Sequence, residues 1–160
     1  VALIFYFRVT WTPTSRYFAS EKQMRPVYEN EFDRSNEGYI KKYIESKGKF
    51  TYEKSEPFSS IDGLLFQDGK HVGNVEIKTR TNASDKYLTY MISAMKVDSI
   101  LRMSKEDKVI PLLIVRFTDG VFTVVLEDRY EKRLGGRHDR NDSHDTETCM
   151  YIPMTEFVQI

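Results

Sequence analysis

The stretch SIDGLLFQDGKHVGNVEIKT, residues 60–79, decides the fold. Two largely apolar runs, Ser60–Phe66 and Val72–Thr79, flank the turn sequence Gln67-Asp68-Gly69-Lys70. An Asp-Gly pair between two such runs is a strong signal for a β-hairpin, because both residues tolerate the backbone angles of a tight turn. The stretch therefore predicts two antiparallel strands joined by a short turn.

Charged residues interrupt both predicted strands. Asp62 lies in the first, and Glu76-Ile77-Lys78 lies in the second, after thirteen intervening residues. Side chains alternate along a strand, so Glu76 and Lys78 share one face while Ile77 points to the other. Burying charge is costly unless it is paired or binds metal. Two carboxylates from neighbouring strands would form a hard oxygen site suited to Mg²⁺ or Mn²⁺.

The position of the turn makes a prediction about register. A symmetric two-residue turn at Asp68-Gly69 would set Asp62 opposite Val75, whereas a shared site needs Asp62 opposite Glu76. We therefore expect a three-residue turn or a bulge that shifts the register by one residue.

The rest of the chain predicts one α/β domain built around this hairpin. Apolar spacing typical of helices occurs in two segments, Tyr28–Lys47 and Asp85–Met103. Extended patterns predict further strands at Phe50–Lys54, Val109–Arg116 and Gly120–Leu126. The last two form a second hairpin around Thr118-Asp119-Gly120, and Val109–Arg116 is apolar enough to be a central strand covered on both faces.

Two segments fall outside these elements. Residues 131–147 are polar, contain glycine and lack periodicity, which predicts a mobile surface loop. Five potential metal ligands in this loop are more typical of a polar loop than of a metal site: His138, Asp139, Asp142, His144 and Asp145. Residues 1–27 are interpreted as an N-terminal extension of uncertain status, with Met24 as a natural initiator, and residues 28–160 as a single domain.

Composition narrows the class of protein. The 160 residues carry balanced charge, so no overall field attracts nucleic acid, although a local basic groove is compatible with that sum. The single cysteine, Cys149, excludes an intramolecular disulfide and fits a reducing compartment. No apolar run approaches the roughly 20 residues of a membrane span. We expect a cytoplasmic protein, in the host cell if the chain is viral, with no membrane partner.

The arrangement Asp62, thirteen residues, Glu76-x-Lys78 resembles the signature of PD-(D/E)xK nucleases, which include restriction endonucleases, Holliday junction resolvases and phage recombination exonucleases. The order of helix, three strands, helix and strand over residues 28–126 is similar too, although Ile61 stands where the signature has proline. The resemblance implies a restriction-endonuclease-like core, with a mixed central sheet of about five strands flanked by helices.

The resemblance also implies roles for individual residues. Asp62 and Glu76 would bind Mg²⁺ or Mn²⁺, with the backbone carbonyl of Ile77 as a further ligand, and Lys78 would act on the attacking water. Many members add a glutamate from the preceding helix, for which Glu37 is the candidate and Glu31 the fallback.

Residues that would contact DNA lie after the second strand of the hairpin. Arg80 and Lys86 follow it closely in a segment that can contact the DNA backbone. Tyr90 and Lys96 lie on the predicted second helix, where they can contact substrate phosphate. A solvated helix face is the alternative interpretation for that pair.

The function predicted from the sequence is a metal-dependent endonuclease that hydrolyses DNA phosphodiester bonds. Its small size favours a structure-directed enzyme of the Holliday junction resolvase type or a phage-encoded nuclease, and a homodimer would let each site cut one strand. Two alternatives stay open. One is a nucleic-acid-binding module that has lost catalysis, and the other is an unrelated α/β domain with Glu76 and Lys78 as an exposed cross-strand pair.

Overall fold

The computed structural model describes residues 31–136 and 146–160. In chain order these ranges contain α1 (Glu31–Ser46), β1 (Thr51–Lys54), β2 (Gly63–Gln67), β3 (Lys70–Thr79), β4 (Thr89–Ser93), α2 (Ala94–Asp107), β5 (Ile110–Phe117), β6 (Gly120–Val125), β7 (Glu131–Gly136), β8 (Thr146–Pro153) and β9 (Val158–Gln159). The predicted extension, residues 1–27, lies outside the described residues. So does the middle of the predicted loop, with its histidines and aspartates.

The main sheet has six strands in the order β1-β2-β3-β5-β6-β9. Strands β3 and β5 are parallel, and the other neighbours are antiparallel, so the sheet is mixed. This confirms the predicted mixed sheet flanked by helices, with one strand more than expected. Both predicted hairpins are present, and β5 and β6 are joined at the predicted turn.

Strand β5 holds the two halves of the core together. Leu112 and Ile114 face one side and pack with Ile40 and Ile44 of α1. Leu113 and Val115 face the other side, where they pack with α2 and the second sheet. All four are buried. The prediction of a central strand covered on both faces is therefore confirmed.

Helix α1 buries the side chains expected from its spacing. Ile40 and Ile44 are four residues apart, so they lie on the same side of the helix, and both are buried. The described helix ends at Ser46, and Gly48 follows with a positive φ of 72°, where its N–H donates to the Glu45 carbonyl. Neither helix in the described ranges has the length and apolarity of a membrane-spanning segment.

The predicted second helix, Asp85–Met103, is wrong in its first half. Thr89–Ser93 forms β4, and α2 starts at Ala94 and continues to Asp107. Tyr90 and Ile92 are buried while Met91 between them is exposed, which is the alternation of a strand. Strand β4 pairs with β8, a partner distant in sequence, and this pairing outweighs the local helical spacing.

The predicted loop at residues 131–147 is wrong at both ends. Strand β7 ends at Gly136 and β8 begins at Thr146, and the two pair with each other beside β4 in a three-stranded sheet. Residues 131–134 are exposed, so β7 has no alternating apolar pattern for the sequence to reveal. Its position depends on backbone pairing with β8.

Gly63, the first residue of β2, lies directly against the ring of Tyr52. A Cβ at this position would come within 2.3 Å of the Tyr52 ring atoms. Tyr52 is almost fully buried, and its hydroxyl donates toward the carboxylate of Glu37 and the backbone carbonyl of Asp62. The ring therefore has no free space to move into, and glycine is required here.

We expect Gly63→Ala to lower the free energy of unfolding by about 1–3 kcal/mol, because the added methyl group forces Tyr52 out of its packed position. Urea denaturation measures this change. Gly38→Ala is the matched control, since a Cβ there meets nothing within 4 Å. Alanine in that helix should be neutral or stabilising by up to about 1 kcal/mol. Equal stability of Gly63→Ala and the wild type would contradict the packing described here.

Candidate active site

Strand β3 brings Glu76 and Lys78 onto the face of the main sheet that packs against α2. Val75 belongs to the core on the α1 side, so the alternation of the strand turns Glu76 to the other side. Glu76 is fully buried. Lys78 lies one step further along the same face, where its ammonium group is 2.6 Å from Oε1 of Glu76 and its side chain is 38% exposed. The prediction that Glu76 and Lys78 share a face is confirmed.

A bulge in the hairpin places Asp62 beside this pair. Near the turn Phe66 faces His71, but the next pair is Leu65 with Gly73, so Val72 is an extra residue in β3. The register is shifted by one from that point, and Gly63 faces Val75. Asp62, immediately before Gly63, then lies next to Glu76. The predicted register shift is confirmed, with a two-residue turn and a bulge in place of a longer turn.

Asp62 is fixed by the backbone of β3. Its N–H donates to the Val75 carbonyl at 3.0 Å, and its Oδ2 accepts a hydrogen bond from the Ile77 N–H at 2.7 Å. The N–H and C=O groups of one strand residue point toward the same neighbouring strand. The carbonyl of Ile77 therefore lies on the side of β3 that Asp62 occupies.

Helix α2 contributes a second cation. The ammonium group of Lys96 is 3.0 Å from Oε2 of Glu76 and 4.0 Å from Oδ1 of Asp62. Lys96 was predicted from the sequence as a residue that contacts phosphate. The structure brings it into direct contact with Glu76 and close to Asp62. The two acids and two lysines form one cluster of alternating charge, which we call the acid–lysine cluster: Asp62, Glu76, Lys78 and Lys96.

Burial and neighbouring charges oppose each other in setting the pKa values of Glu76 and Lys78. Burial raises the pKa of the Glu76 carboxyl, and the charges of Lys78 and Lys96 only partly offset the rise. Burial by itself lowers the pKa of the Lys78 ammonium, but the charges of Glu76 and Asp62 outweigh it, so that pKa is raised. The oxygens of Glu76 contact only these ammonium groups, with no hydroxyl or amide of the described residues bonded to them.

The cluster has the chemistry of a divalent cation site. Carboxylate oxygens of Asp62 and Glu76, with the nearby carbonyl of Ile77, are hard donors of the kind that Mg²⁺ and Mn²⁺ prefer. The Lys96 ammonium already lies between the two carboxylates, and a metal ion would compete with it for this position. The residues therefore fit such an ion. Among the described residues no group of three or more acidic, histidine or cysteine side chains is close enough to hold one.

Glu37 lies on the other side of the sheet from the acid–lysine cluster. Its two carboxylate oxygens accept hydrogen bonds from the Tyr52 hydroxyl at 2.9 Å and from Lys54 at 2.8 Å. Tyr52 belongs to the core on the α1 side, which keeps Glu37 there. Among the described residues Glu37 is linked to Asp62 through Tyr52, whose hydroxyl is 3.1 Å from the Asp62 carbonyl. Its role as a metal ligand stays a prediction, and the side chain of Glu31 lies outside the described residues.

The sequence did not indicate Tyr52 as part of the site. Its position as the aromatic residue in the otherwise polar strand β1 was the available signal. Burial and the neighbouring carboxylate of Glu37 raise the pKa of the Tyr52 hydroxyl, so it stays protonated and donates to both acceptors. It positions the backbone at Asp62.

Tyr90 lies on β4, not on a helix as the sequence predicted. Its ring is buried under the guanidinium group of Arg80, 4.7 Å from the ring centroid. Burial raises the pKa of the Tyr90 hydroxyl, and the charges of Arg80 and Lys78 oppose the rise. Lys86 lies further along the same segment, 5.2 Å above the ring of Tyr87. Arg80 and Tyr90 therefore border the cluster, and Lys86 is more remote.

The chain matches a known protein family in sequence and is similar to a solved structure in fold. Residues 23–160 match the model of a family described as "Phage putative PDDEXK endonuclease". No curated protein matches the chain in sequence. The structure is similar to that of Archaeoglobus fulgidus Hjc, a Holliday junction resolvase from an archaeal hyperthermophile, with a TM-score of 0.55 and 11% identity over 79% of this chain and 90% of that chain. This likeness shows a restriction-endonuclease-like fold, as predicted.

Because Glu76 is buried with its charge, Glu76→Gln should leave the free energy of unfolding at pH 7 unchanged or raise it. Lys96→Met should lower it by at least about 1 kcal/mol, since the buried carboxylate loses one of its two cations. The double variant should recover most of that loss, which a double-mutant cycle in chemical denaturation with EDTA measures. A loss above about 2 kcal/mol in Glu76→Gln alone would show instead that the ion pairs stabilise the fold.

Proposed function

The chain belongs to the phage PDDEXK endonuclease family, and we propose that it is a metal-dependent endonuclease that hydrolyses phosphodiester bonds of DNA at the acid–lysine cluster. Membership of this family and the restriction-endonuclease-like fold support nuclease chemistry. The metal ion, the DNA substrate and the roles of individual residues go beyond family and fold, and they are proposed here.

One observation carries the proposal: the ammonium group of Lys96 contacts Glu76 at 3.0 Å and lies 4.0 Å from Asp62. A single positive charge therefore interacts with both acids at once. Glu76 is fully buried, so its ion pair with Lys96 forms despite the free-energy cost of removing the carboxylate from water. Such an arrangement is typical of functional sites, where stability is sacrificed for chemistry.

In the proposed reaction Asp62 and Glu76 would hold Mg²⁺ or Mn²⁺, with the Ile77 carbonyl as a further ligand. When bound, the ion supplies Lewis acidity that neutralises the scissile phosphate and acidifies a water molecule. Glu37 is proposed to support this centre from the α1 side, where it anchors Tyr52 and through it the backbone of Asp62.

The two lysines have different proposed roles. Lys78 extends beyond Glu76 and is 38% exposed, so its ammonium group can hold the attacking water or an oxygen of the phosphate. Lys96 is proposed to turn from the acids to the phosphate in the loaded enzyme, where both carboxylates would be neutralised by a bound ion and would no longer need its charge. The phosphate oxygens would then pair with the ammonium groups of both Lys78 and Lys96.

We also propose which residues contact DNA, which assembly the enzyme forms and where in the cell it acts. Arg80 and Lys86 are proposed to contact the DNA backbone on one side of the site. Hjc is a Holliday junction resolvase, and a structure-directed activity of that kind on a dimeric enzyme is proposed here from the shared fold. A phage enzyme of this type would act in the host cytoplasm.

We expect Mg²⁺- or Mn²⁺-dependent cleavage of labelled DNA, tested on single-stranded, duplex, flapped and four-way-junction substrates. Asp62→Asn, Glu76→Gln and Lys78→Ala should each reduce the cleavage rate at least about 100-fold, since each removes a group that acts on the charge developing in the transition state. EDTA should abolish cleavage. The preferred substrate then identifies the subclass.

Exposed residues of the same chemistry provide the controls. Glu106→Gln, at the opposite end of α2 from Lys96, and Lys42→Ala, on α1, change the charge in the same way outside the cluster, and they should cleave at the wild-type rate. DNA binding without cleavage by the wild type would indicate a nucleic-acid-binding module instead. Cleavage that survives both Glu76→Gln and Lys78→Ala would place the active site elsewhere.

A further inference from the structure

A groove of about 670 Å³ lies beside the acid–lysine cluster. It is lined by the segment between β3 and β4, by β4, by the end of β5 and by residues at the end of β8, and includes Arg80, Tyr87, Leu88, Tyr90 and Met91. Its volume is in the range of sites that bind molecules the size of a nucleotide. Arg80 follows Lys78 by two residues, and the charges of Lys78 and Glu76 act on Tyr90, so the groove borders the proposed catalytic site.

The groove combines aromatic rings with cations. Within the groove Arg80 covers the ring of Tyr90. Two further cations contact rings of the lining from outside it: Lys86 lies 5.2 Å from the Tyr87 centroid, and Arg133 lies 4.0 Å from the Tyr151 centroid. Arg133 also pairs with Glu131, at 3.6 Å, whereas neither Arg80 nor Lys86 forms a salt bridge within the described residues. Aromatic stacking surfaces together with positive charge are typical of grooves that bind single-stranded nucleic acid.

The groove also exposes apolar side chains that a folded protein normally covers. Leu88 is 91% exposed, Tyr87 is 59% exposed and Met91 is 38% exposed. All three line the groove. A concentration of exposed apolar surface next to charged groups marks a binding surface.

The wall of the groove is held in place before any ligand binds. The N–H of Ser84 donates to Asp119 at 2.9 Å, and the N–H of Met154 donates to the Leu88 carbonyl at 2.9 Å. Under the groove, the rings of Tyr90 and Phe117 pack edge to face at 6.1 Å. The exposed Tyr87 ring is therefore carried by a segment tied at both ends, which reduces the entropy lost on binding.

From these features we infer that the groove binds the base of an unpaired deoxynucleotide next to the phosphate at the acid–lysine cluster. The inference rests on the proposed function and adds a substrate class: DNA that is single-stranded beside the cleavage site. A second copy of the chain is the other candidate occupant. A two-fold contact would bring Arg80 and Lys86 of both copies together, which costs free energy through like-charge repulsion.

The test measures binding without cleavage. Fluorescence anisotropy in EDTA compares a labelled oligothymidylate of about 12 nucleotides with an abasic oligonucleotide of the same length and charge. Wild type should bind the thymidylate at least about fivefold more tightly, because only that probe has bases that stack. Tyr87→Ala should reduce the ratio to below about twofold, whereas Tyr87→Phe keeps the ring and should keep the ratio. Tyr87 is exposed, so neither substitution disturbs the core.

Three results would overturn the inference. The first is equal binding of the two probes by the wild type, including no binding of either. The second is a ratio that Tyr87→Ala leaves unchanged. The third is a dimer in light scattering that becomes a monomer in Leu88→Ser, which would assign the groove to a second copy. Cleavage without base preference refutes only this inference, and base preference without cleavage refutes only the nuclease proposal.

Discussion

The fully buried carboxylate of Glu76 is the constraint on which the rest of the structure depends. A charge in the interior requires countercharge within contact distance. Strand β3 supplies Lys78 from the adjacent position, and α2 supplies Lys96 from across the core. The packing of α2 against the main sheet is therefore tied to the electrostatics of the site. The fold positions Asp62 through hydrogen bonds to β3 and buries Glu76, and the cost is a buried charge that an ordinary core would replace with an apolar side chain.

The sheet keeps its two faces chemically separate. On the α1 side, Tyr52 and Gly63 form a tight contact that fixes the start of β2 and, through the Tyr52 hydroxyl, the backbone of Asp62. On the α2 side, the carboxylates meet the lysines. The bulge at Val72 connects the two arrangements, because it shifts the hairpin by one residue and sets Asp62 beside Glu76. A one-residue change in register would turn every side chain of β2 to the opposite face.

The sequence was informative where local pattern and tertiary contacts agree. The Asp-Gly turn, the alternation around Glu76 and the apolar run of β5 predicted the hairpins, the register shift and the central strand. Sequence failed at β4, because Leu88, Met91 and Met95, in and around this strand, have the spacing of one helical face within the predicted helix Asp85–Met103. Leu88 and Met91 line the exposed groove and do not pack in the core, so their spacing carried no information about a helix. Strand β7 was missed because its exposed side chains show no alternation, and pairing with β8 is a long-range contact.

We propose that Asp62 and Glu76 form a divalent cation site and that a bound ion would displace the Lys96 ammonium from between them. Anomalous diffraction from crystals containing Mn²⁺ tests it most directly. We expect a peak about 2.0–2.3 Å from carboxylate oxygens of both residues, with the Lys96 ammonium moved away from Glu76. At saturating Mn²⁺, the absence of a peak between these two acids, with Lys96 still in contact with Glu76, would contradict it.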